Sequence, residues 1–205
     1  MRKHVGWIAG SAAAVLVAAG AITYAVASDG GSDRTPAADS ADAGFARDMA
    51  VHHQQAVEMS YIVRDRTDDT EVRRLAYDIA QTQANQRGMM LGWLDLWKLP
   101  KVSSQPPMDW MGMSDMASGE DGALMPGMAT NADMKKLEGL SGKAAEVLYL
   151  QLMTEHHKGG IHMAEGCVER CSVDVEKRLA QGMVVGQESE IQLMADMLRD
   201  RGEKP

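Results

Sequence analysis

DMAVHHQQAVEMS at 48–60 and LMTEHHKGGIHMA at 152–164 are two versions of one helical segment, and reading them together decides the fold. Displaced by 104 residues they superpose without a gap, so Met49, His52, His53 and Met59 fall on Met153, His156, His157 and Met163. The register continues outward. Arg74-Leu75-Ala76 falls on Arg178-Leu179-Ala180, Gln83 on Gln187, Gln86 on Glu190 and Met90 on Met194. A constant offset across two helices and the turn between them marks a duplicated helix–turn–helix.

Within each copy the spacing is helical. Phe45, Met49, His52, His53, Ala56, Met59 and Val63 lie three and four apart on one arc. DRTDDT at 65–70 interrupts this pattern, and a second helix is predicted to run to Leu99, where Pro100 stops it. Its apolar face is Val72, Leu75, Ala76, Ile79, Met90, Trp93, Leu94 and Trp97. Residues 100–129 hold prolines, glycines and six methionines without periodicity, which predicts a Met-rich connecting loop. Helical character returns at Thr130 and continues to about Arg170, with Thr130 or Ser141 as caps, and a last helix runs from Ser172 to about Arg201. The expected organisation is a hairpin repeat at 43–99, the loop, and a second repeat at 130–205. Each hairpin alone would expose an apolar stripe, so an all-α, four-helix bundle is expected.

The N-terminus is different material. Arg2, Lys3 and His4 precede an uncharged apolar run from Val5 to Ala27 that ends in Ala-Val-Ala. Residues 1–27 therefore read as a signal peptide or a membrane anchor, and 28–42 as a flexible stalk. Either reading places the rest of the chain outside the cytoplasm, secreted or held at the membrane. The only cysteines, Cys167 and Cys171, are an even pair in an oxidising compartment and read as a disulfide, with a soft-metal or redox thiol pair as the alternative. The 29 acidic against 21 basic residues leave no basic stripe for nucleic acid.

The paired histidines carry the functional question. His52, His53, His156 and His157 share their faces with core residues, so they point inward together with Gln83, Gln86, Gln187 and Glu190 from the facing helices. A buried polar group must be paired or coordinated. One reading is a hydrogen-bonded polar layer. The other is a metal site drawing on His52, His53, His156, His157, Glu190 and the thioethers of Met49, Met59, Met90, Met153, Met163 and Met194. No Glu-x-x-His stands on the histidine face, which argues against di-iron chemistry. Thioether is a poor zinc ligand, whereas imidazole with thioether suits copper as Cu(I) or Cu(II). His162 lies on another face and reads as a surface residue.

The loop adds Met108, Met111, Met113 and Met116 in PPMDWMGMSDM, and Met125 and Met128 in MPGM. Clustered thioethers can wrap a soft cation, with Trp110 stacking on it. They also serve as adaptable packing over a bundle end, or as a protein-binding surface.

At these motifs the chain resembles the DUF305 family of bacterial secreted proteins. The residues that carry the resemblance are HHQQAVEM, the run from MPGMATNADMKKLEGLSGK to HHKGGIHMA, and Gln187 to Glu190. It covers about 43–201 and implies a ferritin-like helical fold of two hairpin repeats. Some members resemble periplasmic copper-binding proteins, which implies ligand roles for the paired histidines and nearby methionines. The chain departs from the pattern at Gln86, which stands where the second copy has Glu190, and in its cysteine pair and longer Met-rich insert.

No catalytic constellation is legible. The expected function is extracytoplasmic copper binding for buffering, tolerance or delivery, with a metal ion as the partner. The rivals are a metal-dependent oxidase or reductase in the bundle, and a metal-free interaction module using the loop.

Overall fold

The computed structural model describes residues 35–113 and 119–204. The expected signal peptide or anchor at 1–27, residues 28–34 of the expected stalk and Met116 lie outside them. Five α-helices follow in order: α1 (Ala41–Arg64), α2 (Thr70–Leu96), α3 (Asn131–Gly139), α4 (Gly142–Arg170) and α5 (Asp174–Asp200). There is no strand among the described residues. α1 pairs with α2 and α4 with α5, and the two hairpins meet through α1 and α4.

Local chemistry sets the helix ends. The Ser40 hydroxyl accepts from Ala43 N–H, and the Asp69 carboxylate accepts from Glu71 and Val72 N–H. Thr130 and Asp133 form a reciprocal capping box at the start of α3. α5 has no such cap of its own. Instead Asp42 of α1 reaches across to accept from the N–H groups of Ser172 and Val173, each at 2.8 Å, and from the Ser172 hydroxyl at 3.0 Å. The end of the expected stalk, Ala41 and Asp42, is thus already helix and structural. α2 stops at Leu96, three residues before the expected Leu99. Lys98 turns left-handed there, and Leu99 N–H bonds back to Leu94.

The helix expected to run unbroken from Thr130 to Arg170 is two helices. Leu140 is extended and Gly142 adopts φ +56°, a turn a side chain disfavours. Gly142 N–H is held by the Arg66 carbonyl at 2.7 Å, which ties the break to the α1–α2 turn.

The core falls into two clusters. One gathers Phe45, Met49, Met90, Leu94, Met108, Met125, Met163, Cys167 and Met183. The other gathers Met59, Val63, Ile79, Leu137, Tyr149, Leu150, Met153, Met194 and Leu198. Both draw on α1, α2, α4 and α5. Along every one of these helices the polar residues singled out from the sequence lie between the two clusters: His52 and His53 on α1, Gln83 and Gln86 on α2, His156 and His157 on α4, Gln187 and Glu190 on α5.

Candidate metal centre

All four imidazoles of this layer are buried, with exposures between 0% and 1%. His52 and His156, one from each hairpin, meet with ring centroids 3.7 Å apart and planes tilted by 33°. His53 and His157 sit one position on, each held by the facing helix of its own hairpin.

Every ring is anchored through the same nitrogen. Nε2 of His52 donates to the Pro126 carbonyl at 3.2 Å, and Nε2 of His156 donates to the His52 carbonyl at 3.0 Å. Nε2 of His53 donates to Gln86 Oε1 at 2.8 Å, and Nε2 of His157 to Glu190 Oε2 at 2.7 Å. Those acceptors carry no proton to give, so Nε2 is the protonated nitrogen in each ring. Among the described residues none of the four Nδ1 atoms has a hydrogen-bond partner.

Burial sets the charge. Desolvation, reinforced by the neighbouring rings, pushes His52 down to about 4 and His53 down to about 3, and lowers His156 as well. These three rings are neutral at physiological pH, the form in which imidazole ligates a metal. The layer does not satisfy itself by hydrogen bonding. Gln83 is 2% exposed with neither amide atom partnered, and Gln187 Oε1 is also unpartnered. Gln86 and Glu190 each serve one Nε2 and leave the Nδ1 atoms untouched. A ring anchored at Nε2 by an oxygen, with Nδ1 free, is the arrangement that orients histidine toward a metal.

The geometry also limits the site. Among the described residues, no three histidine, cysteine or carboxylate ligand atoms of the layer lie within 4.8 Å of one another. A single ion held there takes fewer than three of these atoms, or adds sulfur. Met49, Met59, Met90, Met153, Met163 and Met194 are all fully buried in the clusters flanking the layer.

The loop methionines divide. Met108 and Met125 are core, 0% and 4% exposed, and burial alone stabilises each by ~1.5–3 kcal/mol. Met111, Met113 and Met128 are half-buried against the same cluster. Met108 and Met125 thus pack against the first core cluster. Trp110 is likewise committed. Its ring packs edge-on to Phe45 at 5.8 Å and over Gly44, and its Nε1 donates to Asp48 Oδ2 at 2.9 Å. Met108 N–H reaches the same oxygen at 2.7 Å. Desolvation raises the Asp48 carboxyl above its ordinary range, and these two bonds oppose that rise.

Two features of the site carried no sequence signal that was read. The MPGMA segment at 125–129 lies across the layer. Pro126 holds His52, and the Gln55 amide clamps both Ala129 N–H (2.7 Å) and the Ala129 carbonyl (2.9 Å). It lies so close to α4 that a Cβ on Gly159 would stand 1.9 Å from the Pro126 oxygen. The double glycine after the second His pair was the available clue. The other feature is His162, exposed as expected, whose Nε2 stands 3.5 Å from Met113 Sδ.

A sequence model of the family described as "Domain of unknown function (DUF305)" matches residues 42–198. The solved structure of a DUF305 protein from Streptomyces coelicolor is 78% identical, with a TM-score of 0.77 over 82% of this chain and 98% of that one. A DUF305 fragment from Deinococcus radiodurans is 29% identical, with a TM-score of 0.63 over 77% and 94%. CopM in its Cu(I)-bound form is 20% identical, with a TM-score of 0.59 over 78% and 96%. CopM has also been solved in Cu(II)- and silver-bound forms. No curated protein matches the chain in sequence.

Proposed function

The chain belongs to the DUF305 family, and from that premise we propose that it is an exported copper-binding protein whose buried histidine layer holds the ion for buffering, tolerance or delivery. One observation carries this reading: four buried Nδ1 atoms without partners among the described residues, on rings fixed through Nε2. Leaving such groups empty costs on the order of 1–3 kcal/mol each.

The choice of copper rests on the donors. Fewer than three nitrogen or carboxylate atoms converge, which suits neither the tetrahedral zinc site nor a carboxylate-bridged di-iron site. Cu(I) accepts low coordination and takes imidazole with thioether, and both stand in or beside the layer. His52, His53, His156 and His157 are the imidazole candidates, and Met49, Met59, Met90, Met153, Met163 and Met194 supply sulfur. Glu190 acts through His157. The similarity in fold to CopM, crystallised with Cu(I), agrees with this choice. His162 with Met113 forms an outer pair of the same donor types.

Export rests on residues 1–27 and on the Streptomyces coelicolor relative, which is provisionally designated secreted. No helix among the described residues is long and apolar enough to cross a membrane.

The test is metal content of the protein recovered from the exported fraction, followed by Cu(I) competition against a chromogenic chelator. Replacing His52, His53, His156 and His157 singly and in pairs by Gln is expected to weaken Cu(I) binding at least tenfold. Unchanged affinity in the paired variants would move the site to the loop, and no copper uptake would leave the metal-free interaction module.

A further inference from the structure

At the far end of the first core cluster from the histidines, Cys167 and Cys171 form a disulfide with Cα atoms 4.8 Å apart. Cys167 opens the last turn of α4, and Cys171 directly follows the helix. Beside them, on the first turn of α5, is Glu176. Its exposure is 0%, and among the described residues no N–H or hydroxyl donor reaches either carboxyl oxygen. The two sulfurs and a Glu176 oxygen all lie within 4.8 Å of one another. The neighbouring carboxylate, Asp42, also accepts from Ser172 and Val173.

Burial, then the neighbouring Asp42 charge and a side-chain hydrogen bond to Asp42, push Glu176 up to about 9, so it is held as the neutral acid. Two sulfurs and one carboxylate at this spacing are also a known donor set. Ligands bound at ~2.0–2.3 Å around one tetrahedral ion stand within this span of one another.

We propose that the Cys167–Cys171 disulfide closes a second metal site, and that its reduction opens a two-thiolate, one-carboxylate site with Glu176 for Zn(II). An external dithiol supplies two electrons and two protons to the sulfur–sulfur bond and leaves as its own disulfide. The two thiols and the Glu176 carboxyl then release three protons to solvent as Zn(II) takes the two thiolates and the carboxylate. Water completes the fourth position. Cys171, at 4%, is the less buried sulfur and the one at the helix end, where fraying admits the reductant. The site is independent of the histidine layer and stands or falls apart from the copper reading.

The full chain contains no other cysteine, so a thiolate signal can come only from here. Reduced protein is titrated with Co(II) as a spectroscopic stand-in for Zn(II), and the near-ultraviolet thiolate-to-cobalt charge-transfer band is followed. The oxidised protein is expected to give none, and the reduced protein a band saturating at one ion per chain and abolished by Zn(II). Glu176→Gln is expected to weaken Co(II) at least tenfold while both thiols remain titratable. Zn(II) is further expected to protect both thiols of the wild-type protein from alkylation, a measurement that needs no variant. Absence of the band and of protection in reduced protein, or a Glu176→Gln variant that binds as tightly as wild type, would overturn the proposal.

Discussion

Gln86 and Glu190 occupy the same place in the two hairpins, each accepting Nε2–H from the histidine 33 residues before it, yet one is an amide and the other a carboxyl group. The two hairpins are therefore chemically lopsided. A carboxylate behind a ligating imidazole raises its basicity and fixes its orientation, and its loss typically weakens metal affinity 10–100-fold. Glu190→Gln is expected to lower copper affinity roughly 10-fold or more on that basis. Gln86→Glu is expected to raise it. Competition titrations on the two variants check both signs, and an indifferent Glu190→Gln would remove Glu190 from the site.

Acid should loosen the metal-free protein. The folded-state values of His52, His53 and His156 lie below their unfolded value. The unfolded chain therefore binds more protons as pH falls below about 6.5, and stability declines. Full stability is present above that value and is lost downward toward pH 4, by up to about 1.4 kcal/mol per pH unit for each ring. Denaturant midpoints of apo-protein between pH 7 and pH 4.5 report the slope. A flat profile would mean that the rings reach solvent.

Thioether as ligand and thioether as filler give different outcomes for one substitution. Leu for Met nearly conserves volume and costs less than about 1.5 kcal/mol in a core. Met49→Leu and Met153→Leu sit one turn before His52 and His156, on opposite sides of the layer. Each is expected to keep the melting temperature within a few degrees. A methionine that ligates copper loses Cu(I) affinity far more than Cu(II) affinity when replaced. Unchanged Cu(I) binding in both variants would assign these two sulfurs to packing.

Gly159→Ala sets two effects against each other. Alanine favours a helix over glycine by about 1 kcal/mol. The added Cβ would collide with the Pro126 carbonyl, so the 125–129 segment must lift from α4, a misfit costing ~1–3 kcal/mol. The collision is with backbone, so we expect net destabilisation. Faster amide hydrogen exchange at 127–129 and faster copper release should accompany it. Gln55→Ala, which frees both bonds to Ala129, should act in the same direction.

What the residues disclosed before any coordinates was the part written in periodicity. His52 and His53 share spacing with Met49 and Ala56, and the constant offset to His156 and His157 fixed the two-hairpin reading. What stayed hidden depends on partners distant in sequence. Nothing local to MPGM says that it crosses the histidines, because the partner is the Gly159 backbone. Trp110 reads as a free aromatic in a loop until Asp48 and Phe45 are found beneath it. Met108 and Met125 look too many for a core when the bundle end is pictured bare. The break at Leu140–Gly142 was legible in Gly139 and Ser141-Gly142, but the strong flanking helices outweighed it. Glu176 gave no signal at all, since its neighbours belong to the end of another helix, Cys167, and to the turn after it, Cys171.

The contact of His52 with His156 joins one ring from each hairpin at the middle of the layer. Neither hairpin owns the four-ring assembly, and cutting the chain in the Met-rich connection would leave two fragments each with half of it. A peptide of the first hairpin alone could regain the missing half only by self-association, with His52 meeting its own counterpart. Such a homodimer would carry glutamine at both acceptor positions and so lose the asymmetry that the covalent tandem preserves.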